Sequence, residues 1–287
     1  MSNYVVITPV RDEEAYVSFT LESVVRQATR PAEWVIVNDG SRDRTGDIIE
    51  AYAHQYPWIR PVHRENRGYR KSGAGVVEAF YDGYNALRTR DWDFVVKLDG
   101  DLSFSPNFFE TALGHFEAQP RLGIGGAFLY HEVKGTLQLE QGPKFHVRGA
   151  TKIYSRACWE AIGGLRFVPG WDTIDEVSAN MQGWRTESFS DLRVVHHRFT
   201  GTAEGRWRDM IKIGKACYCT GYHPLFVSAK CIYRLASKPY VIGSLGLAYG
   251  FVSGYLGRAP RPSDPALVRY VRRQQLRRLC GMQSIWK

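Results

Sequence analysis

The sequence predicts an α/β protein, a mostly parallel sheet with helices on both faces, followed by a helical segment of different character. Three observations carry this. Over the first 130 residues, short runs rich in Val, Ile, Phe and Leu alternate with stretches of helical apolar period. After Tyr130 the alternation loosens into polar and Gly-rich sequence. The charge also divides: residues 1–204 hold 23 Lys+Arg against 27 Asp+Glu, a net of −4, whereas residues 205–287 hold 15 against 2, a net of +13. The overall +9 is thus a property of the C-terminal segment.

The 287 residues suffice for one large domain or a domain with an appendage, and the charge division places the expected boundary between residues 1–204 and 205–287. With 44% hydrophobic and 23% charged residues, intrinsic disorder is excluded. The five cysteines (Cys158, Cys217, Cys219, Cys231 and Cys280) form no Cys-x-x-Cys pair, which argues against a disulfide scaffold or zinc ribbon and for a reducing compartment. Tyr4 to Pro9 already reads as a buried strand, so no signal peptide is expected.

Taken in order, strands are expected at Tyr4–Thr8, Trp34–Val37, Phe94–Leu98 and Ile124–Leu129. Between them, Val17, Leu21, Val24 and Ala28 mark one helix, and Val77, Phe80, Tyr84 and Leu87 another. A third is expected after Ser105 as N-cap with Pro106 in the first helical position, carrying Phe109, Leu113 and Phe116. The second half suggests a strand at Lys152–Tyr154, a helix near Asp172–Gly183 and a strand through Arg193–Val195 that ends in His196 and His197. From Arg206 onward, Trp207, Met210, Ile211, Gly214 and Tyr218 share one helical face.

In such sheets ligands gather outside the carboxyl ends of the strands. The acids there are Asp39 in NDGSRDRT, and Asp99 and Asp101 in VVKLDGDLS; Asp172 and Asp175 follow in the second half, in GWDTIDE. Two carboxylates at i and i+2 just past a buried strand suit a divalent cation and, through it, a diphosphate. Asp91 and Asp93 have the same spacing but precede the strand, away from the ligand edge. Gly73-Ala74-Gly75 lacks the preceding strand and the third glycine of a dinucleotide motif, and neither a Walker A sequence nor a Gly-x-Ser-x-Gly elbow is present.

A strand ending in TPVRDEE, a second ending in VNDGSRDRT and a later one ending in KLDGD together resemble the family 2 glycosyltransferases, over about residues 3–200. The resemblance implies the GT-A fold, Rossmann-like, with a nucleotide-sugar donor (a UDP-sugar for preference) and Mg²⁺ or Mn²⁺. It implies that Pro9, Arg11 and Glu13 lie where the first strand meets the nucleotide, that Asp39 contacts its base or ribose, and that Asp99 lies near the ribose and donor sugar. Asp101 would bind metal, and Lys71 in RGYRKSGAG would face the diphosphate, although a solvated lysine is the plainer reading. Family members carry Glu-Asp at a helix start, with a Gly-aromatic pair beginning eleven residues after the Asp. Gly183-Trp184 marks Asp172 by this spacing, although Trp171 replaces the Glu. Asp172 is the preferred base, Asp175 the second, with Glu176 on the same turn. The resemblance also implies a metal or diphosphate ligand at His196 or His197, and the preference falls on His197.

Residues 239–257 run without a charge, and Gly246, Gly250 and Gly254 make two Gly-x-x-x-Gly steps. An interfacial or re-entrant helix is expected ahead of a bilayer span, with packing on the soluble body as the plain alternative. Asp264-Pro265 reads as a helix start, followed by Leu267, Val268 and Val271 on one side and Arg269, Arg272, Arg273 and Arg277 on the other. Such a helix suits an anionic membrane surface. The sequence-based reading is an inverting, metal-dependent transferase at the cytoplasmic membrane face, with a saccharide or polyprenyl-linked acceptor and no nucleic-acid partner. The alternatives are a related nucleotidyltransferase, or a protein whose basic segment binds nucleic acid or anionic lipid.

Overall fold

The computed structural model describes residues 2–68, 74–133, 135–140, 142–143, 145–198, 205–236, 240–257, 259, 261 and 264–286. Its first unit is β1 (Tyr4–Val10), α1 (Val17–Val25), β2 (Glu33–Asn38), α2 (Thr45–Gln55), β3 (Ile59–His63), α3 (Ala74–Ala86) and β4 (Phe94–Leu98). β1 pairs in parallel with β2 and β4, and β2 with β3. Every residue of β1, β2 and β4 is buried, as the continuous apolar runs require of a sheet covered on both faces. Alternate side chains separate the two cores: Tyr4 and Val6 join Leu21 of α1 and Ile49 of α2, while Val5 and Ile7 join Val77 and Phe80 of α3.

The chain continues with β5 (Leu102–Phe104), α4 (Phe108–Ala118), β6 (Leu122–Val133), β7 (Thr136–Leu139), β8 (Thr151–Ser155), α5 (Arg156–Ile162), α6 (Trp171–Met181) and β9 (Arg185–His196). The sheet order is β3-β2-β1-β4-β8-β6-β9-β5, with β7 paired to β6. β8 runs antiparallel between β4 and β6, and β9 lies parallel to β6. The result is the expected α/β architecture of GT-A type. α4 begins two residues later than expected, with Asn107 at its N-cap. Pro106 and Asn107 form a turn instead, closed by Phe108 N to Ser105 O (3.1 Å), and the segment after α1 occupies the carbonyls: Gln27 Nε2 donates to Ser105 O (2.7 Å) and Ala28 N to Pro106 O (2.8 Å).

Among the described residues, four helices follow: α7 (Arg206–Cys219), α8 (Pro224–Arg234), α9 (Tyr240–Leu256) and α10 (Pro265–Leu279). α10 starts as the sequence indicates, Asp264 capping Ala266 N at 2.8 Å and Leu267 N at 3.2 Å. A third apolar cluster joins these helices to α6, with Ile174 and Val177 packed among Tyr222, Leu247, Phe251 and Leu267. The glycines of α9 face α7: a Cβ at Gly250 would stand 2.2 Å from Ile211 O, and one at Gly254 2.5 Å from the Tyr218 ring. Among the described residues no helix is long and apolar enough to cross a membrane.

Candidate active site

The carboxyl ends of β1, β2 and β4 open on one edge of the sheet, and the acids expected there take distinct places. Asp39 follows β2, its backbone N–H bonded to Val10 O at 2.8 Å. Its carboxylate pairs with Arg64 at 2.6 Å and with Arg67, while Arg11 stands 3.9 Å away. Pro9 is buried in β1, in register with Val37. The turn after β1 is strained: Asp12 has a φ of 52°, a conformation that functional loops retain when their surroundings impose it. Here the β2–α2 loop imposes it, since Asp12 N donates to Ser41 Oγ (3.0 Å) and Asp12 Oδ1 accepts from Arg42 N (2.9 Å). Glu13, buried, receives the guanidinium of Arg198, which also donates to Asp12 O at 2.9 Å and lies 4.0 Å from Asp101.

After β4 the chain makes a tight crossing. Asp99 N donates to Ala150 O at 2.9 Å. A Cβ on Gly100 would lie 2.4 Å from Val10 Cγ1, so only glycine lets the two aspartates approach the end of β1. Asp101 is 6% exposed and bonds His196 Nε2 at 3.2 Å, because β5 pairs with β9 in the register Leu102↔His196. Burial pushes the Asp101 carboxyl up, but the hydrogen bond from His196 and the charges of His196, Arg198 and Lys97 outweigh it and hold the group below the usual carboxylate range.

Asp99, Asp101 and His196 place one ligand atom each within 4.8 Å of one another. Asp101 Oδ1 and His196 Nδ1 are buried without a hydrogen-bond partner. Two carboxylates and an imidazole with unused buried lone pairs fit Mn²⁺, and Mg²⁺ less closely, since imidazole is the softer ligand. The preference for His197 gives way here. Adjacent strand residues face opposite ways, so His197 turns to Ser103 Oγ (2.9 Å) and stacks on Phe19 while His196 meets Asp101.

The second-half acids separate just as clearly. Asp175 is 2% exposed, and Lys152 Nζ lies 2.8 and 2.9 Å from its two oxygens, with the Tyr154 hydroxyl also donating to it. Burial pushes the Asp175 carboxyl up to about 6 in spite of Lys152. Glu176, fully buried, accepts from Val147 N (2.7 Å) and pairs with Lys152 and His146 at 2.9 Å each. Neither group presents an unengaged carboxylate. Asp172, half-buried in the first turn of α6, has no hydrogen bond or ion pair to its carboxylate among the described residues. Its Cβ stands 3.6 Å from where a Cβ on Gly149 would be, and Gly149 O accepts from Lys97 (2.7 Å), a buried lysine that also bonds Asp99 and sits 5.7 Å from the Trp171 ring. Lys71 lies outside the described residues.

The family profile described as glycosyl transferase family 2 matches residues 5–159. The chain belongs to that family. The chain is 29% identical over 130 residues to the uncharacterized glycosyltransferase EpsJ of Bacillus subtilis (strain 168), a match covering 44% of this chain and 34% of the relative. It is 28% identical over 161 residues to the undecaprenyl-phosphate 4-deoxy-4-formamido-L-arabinose transferase of Serratia proteamaculans (strain 568), covering 55% and 44%. The matches thus span less than half of either relative's length. Among solved structures, the mannosyltransferase PcManGT from Pyrobaculum calidifontis, in complex with GDP-Man and Mn²⁺, superposes with a TM-score of 0.57 at 17% identity, covering 99% of this chain and 76% of that one. That likeness is one of fold.

Several residues of the candidate site were not singled out from the sequence: Lys97, Lys152, Arg64, Arg67, Arg198 and Asp12. Lys97 had a signal, a lone cation in the otherwise apolar run Phe94–Leu98, which needs a buried partner, whereas Lys152 sits among mixed polar and apolar residues in Thr151–Ser155 and had none. Arg198 stands two residues past His196 and could have been read with the histidine pair.

Proposed function

We propose that the chain is an inverting, metal-dependent glycosyltransferase that moves a sugar from a nucleotide-diphosphate donor to a saccharide or polyprenyl-linked acceptor. The carrying observation is the Asp99–Asp101–His196 cluster, in which Asp101 Oδ1 and His196 Nδ1 are buried without a hydrogen-bond partner. Pro9, Arg11, Glu13 and Asp39 would line the nucleotide, and Asp99 would orient the ribose and donor sugar. Asp101 and His196 would hold the cation, which when bound supplies positive charge beside the leaving diphosphate. Arg198 braces Glu13 and Asp101 from the other side. Asp172 would take the proton of the acceptor hydroxyl as its oxygen attacks the anomeric carbon from the face opposite the diphosphate, which inverts the centre.

The relative that transfers a sugar to undecaprenyl phosphate supports a lipid-linked acceptor, and the neighbour holding GDP-Man and Mn²⁺ supports a nucleotide sugar with a divalent ion. A lipid-linked acceptor in turn supports peripheral attachment at the cytoplasmic face of the membrane. The test is release of nucleoside diphosphate from a panel of UDP- and GDP-sugars, with and without Mn²⁺ or Mg²⁺. Asp101→Ala should lower metal-dependent release by ~10–100-fold or more. Equal release by the variant and the parent chain would refute the proposal.

A further inference from the structure

The C-terminal helices present a surface that the chemistry does not use. Among the described residues, four large apolar side chains before residue 205 are exposed, against seventeen after it. The division follows from how α9 packs. Its glycine face is pressed against the α7 backbone, which turns Ile242, Leu245, Tyr249, Val252 and Leu256 outward at 52% to 82% exposure. α8 adjoins α9 where Ser244 Oγ donates to Cys231 O (2.9 Å), and it exposes Ile232 at 69% and Tyr233 at 76%. At the N-terminus of α8, His223 and Arg269, Arg272, Arg273 and Arg277 of α10 border a groove of about 490 Å³ that, among the described residues, no carboxylate lines. Arg272 Nε donates to Gly221 O and Arg277 Nε to Gln283 O, which fixes their stems. Arg269 and Arg273 pair with no described residue. Only two acids occur in residues 205–287, and Asp264 is engaged in capping α10.

We propose that α8, α9 and α10 form a docking surface for an anionic membrane. The outward side chains of α8 and α9 enter the boundary between headgroups and acyl chains, and the arginine groove receives lipid phosphates. Charge selects this occupant. A second copy of the chain would bring a segment of net +13 against another of the same sign. An anionic lipid surface supplies apolar depth and negative charge together, and the exposed tyrosines suit its interfacial layer. At 17 residues, α9 lies in the surface and does not cross it. The proposal rests on the peripheral placement given above, and its test is kept apart from the chemistry.

The full chain is floated with vesicles of phosphatidylcholine alone and of phosphatidylcholine mixed with phosphatidylglycerol, over a salt series. It should float with the anionic vesicles and be released by salt. Arg269→Gln with Arg273→Gln should weaken partition roughly 30-fold, from two cations at the surface. Leu245→Asp, at a site 57% exposed, should weaken it at least about tenfold. Circular dichroism and release of nucleoside diphosphate in solution should match the parent chain in both variants. If no chain hydrolyses donor but flotation follows this pattern, the transferase reading fails and the docking surface stands. Equal partition to both vesicle types, partition untouched by the variants, or a concentration-dependent dimer that Leu245→Asp dissolves without any vesicle binding would overturn the docking surface.

Discussion

Asp172 and Asp175 sit three residues apart on one helix, yet the structure gives them opposite circumstances. Asp175 is sealed beneath the site in a network with Lys152, Tyr154 and Glu176, whereas the carboxylate of Asp172 carries no such partner. The proposed base is therefore Asp172, and replacement should separate the two roles. Asp172→Asn should lower kcat for transfer by ~10²–10⁴-fold, the range of a lost general base. Donor KM should barely move, and stability should fall by about 1 kcal/mol or less, as for a first-turn acid. Lys152→Met should do the reverse: it strands two buried carboxylates and should lower stability by ~3–5 kcal/mol in urea unfolding. Asp99 and Asp101 were legible from sequence because a turn after an apolar run has few other uses for paired acids. The choice between His196 and His197 was not, because a strand's facing is set by register, and the three-residue β5 that fixes it carries too short a pattern to read.

At the scale of elements, the long apolar strands and periodic helices stood out in the sequence, and the elements that did not were short or mixed. β3 contains Pro61 and lies at the sheet edge, β7 is exposed throughout, and α5 has seven residues, so none bears a full burial pattern. The Gly-x-x-x-Gly steps of α9 did specify close helix approach, against α7. Gly250→Val should therefore destabilise by about 1–3 kcal/mol through overpacking, measurable by thermal unfolding, while Val252→Ala on the exposed side should change little. α6 also carries a pH-dependent contact with the 145–148 segment. Burial lowers the His146 pKa, but the Glu176 charge and hydrogen bond more than offset it and hold the imidazole above its ordinary 6.5. A folded-state pKa raised in this way gives stability that is fully present below about 6.5 and is lost as pH rises through the folded value. Glu176→Gln should remove that slope and bring the His146 titration, followed by NMR, to 6.5 or below.

The whole molecule is divided by charge at residue 204 but not by packing. Every residue proposed to act on donor or acceptor lies in 1–204, and the basic character lies in 205–287. The third core nevertheless crosses that boundary: Ile174 and Val177, each 1% exposed or less, belong to one buried cluster with side chains of α7 to α10. α6, which carries Asp172, is thus seated on the segment that presents the proposed membrane surface, and docking and chemistry share one rigid support. A chain ending at residue 204 should not behave as an independent enzyme. Uncovering the two side chains forfeits on the order of 1.5–3 kcal/mol each, a substantial share of a typical domain's stability. The shortened chain should unfold at lower urea concentration, bind a dye that reports exposed apolar surface, and lose most donor turnover although the Asp99–Asp101–His196 cluster remains in its sequence. Full turnover and unaltered unfolding in the shortened chain would show instead that residues 1–204 fold alone and that the C-terminal helices only carry them.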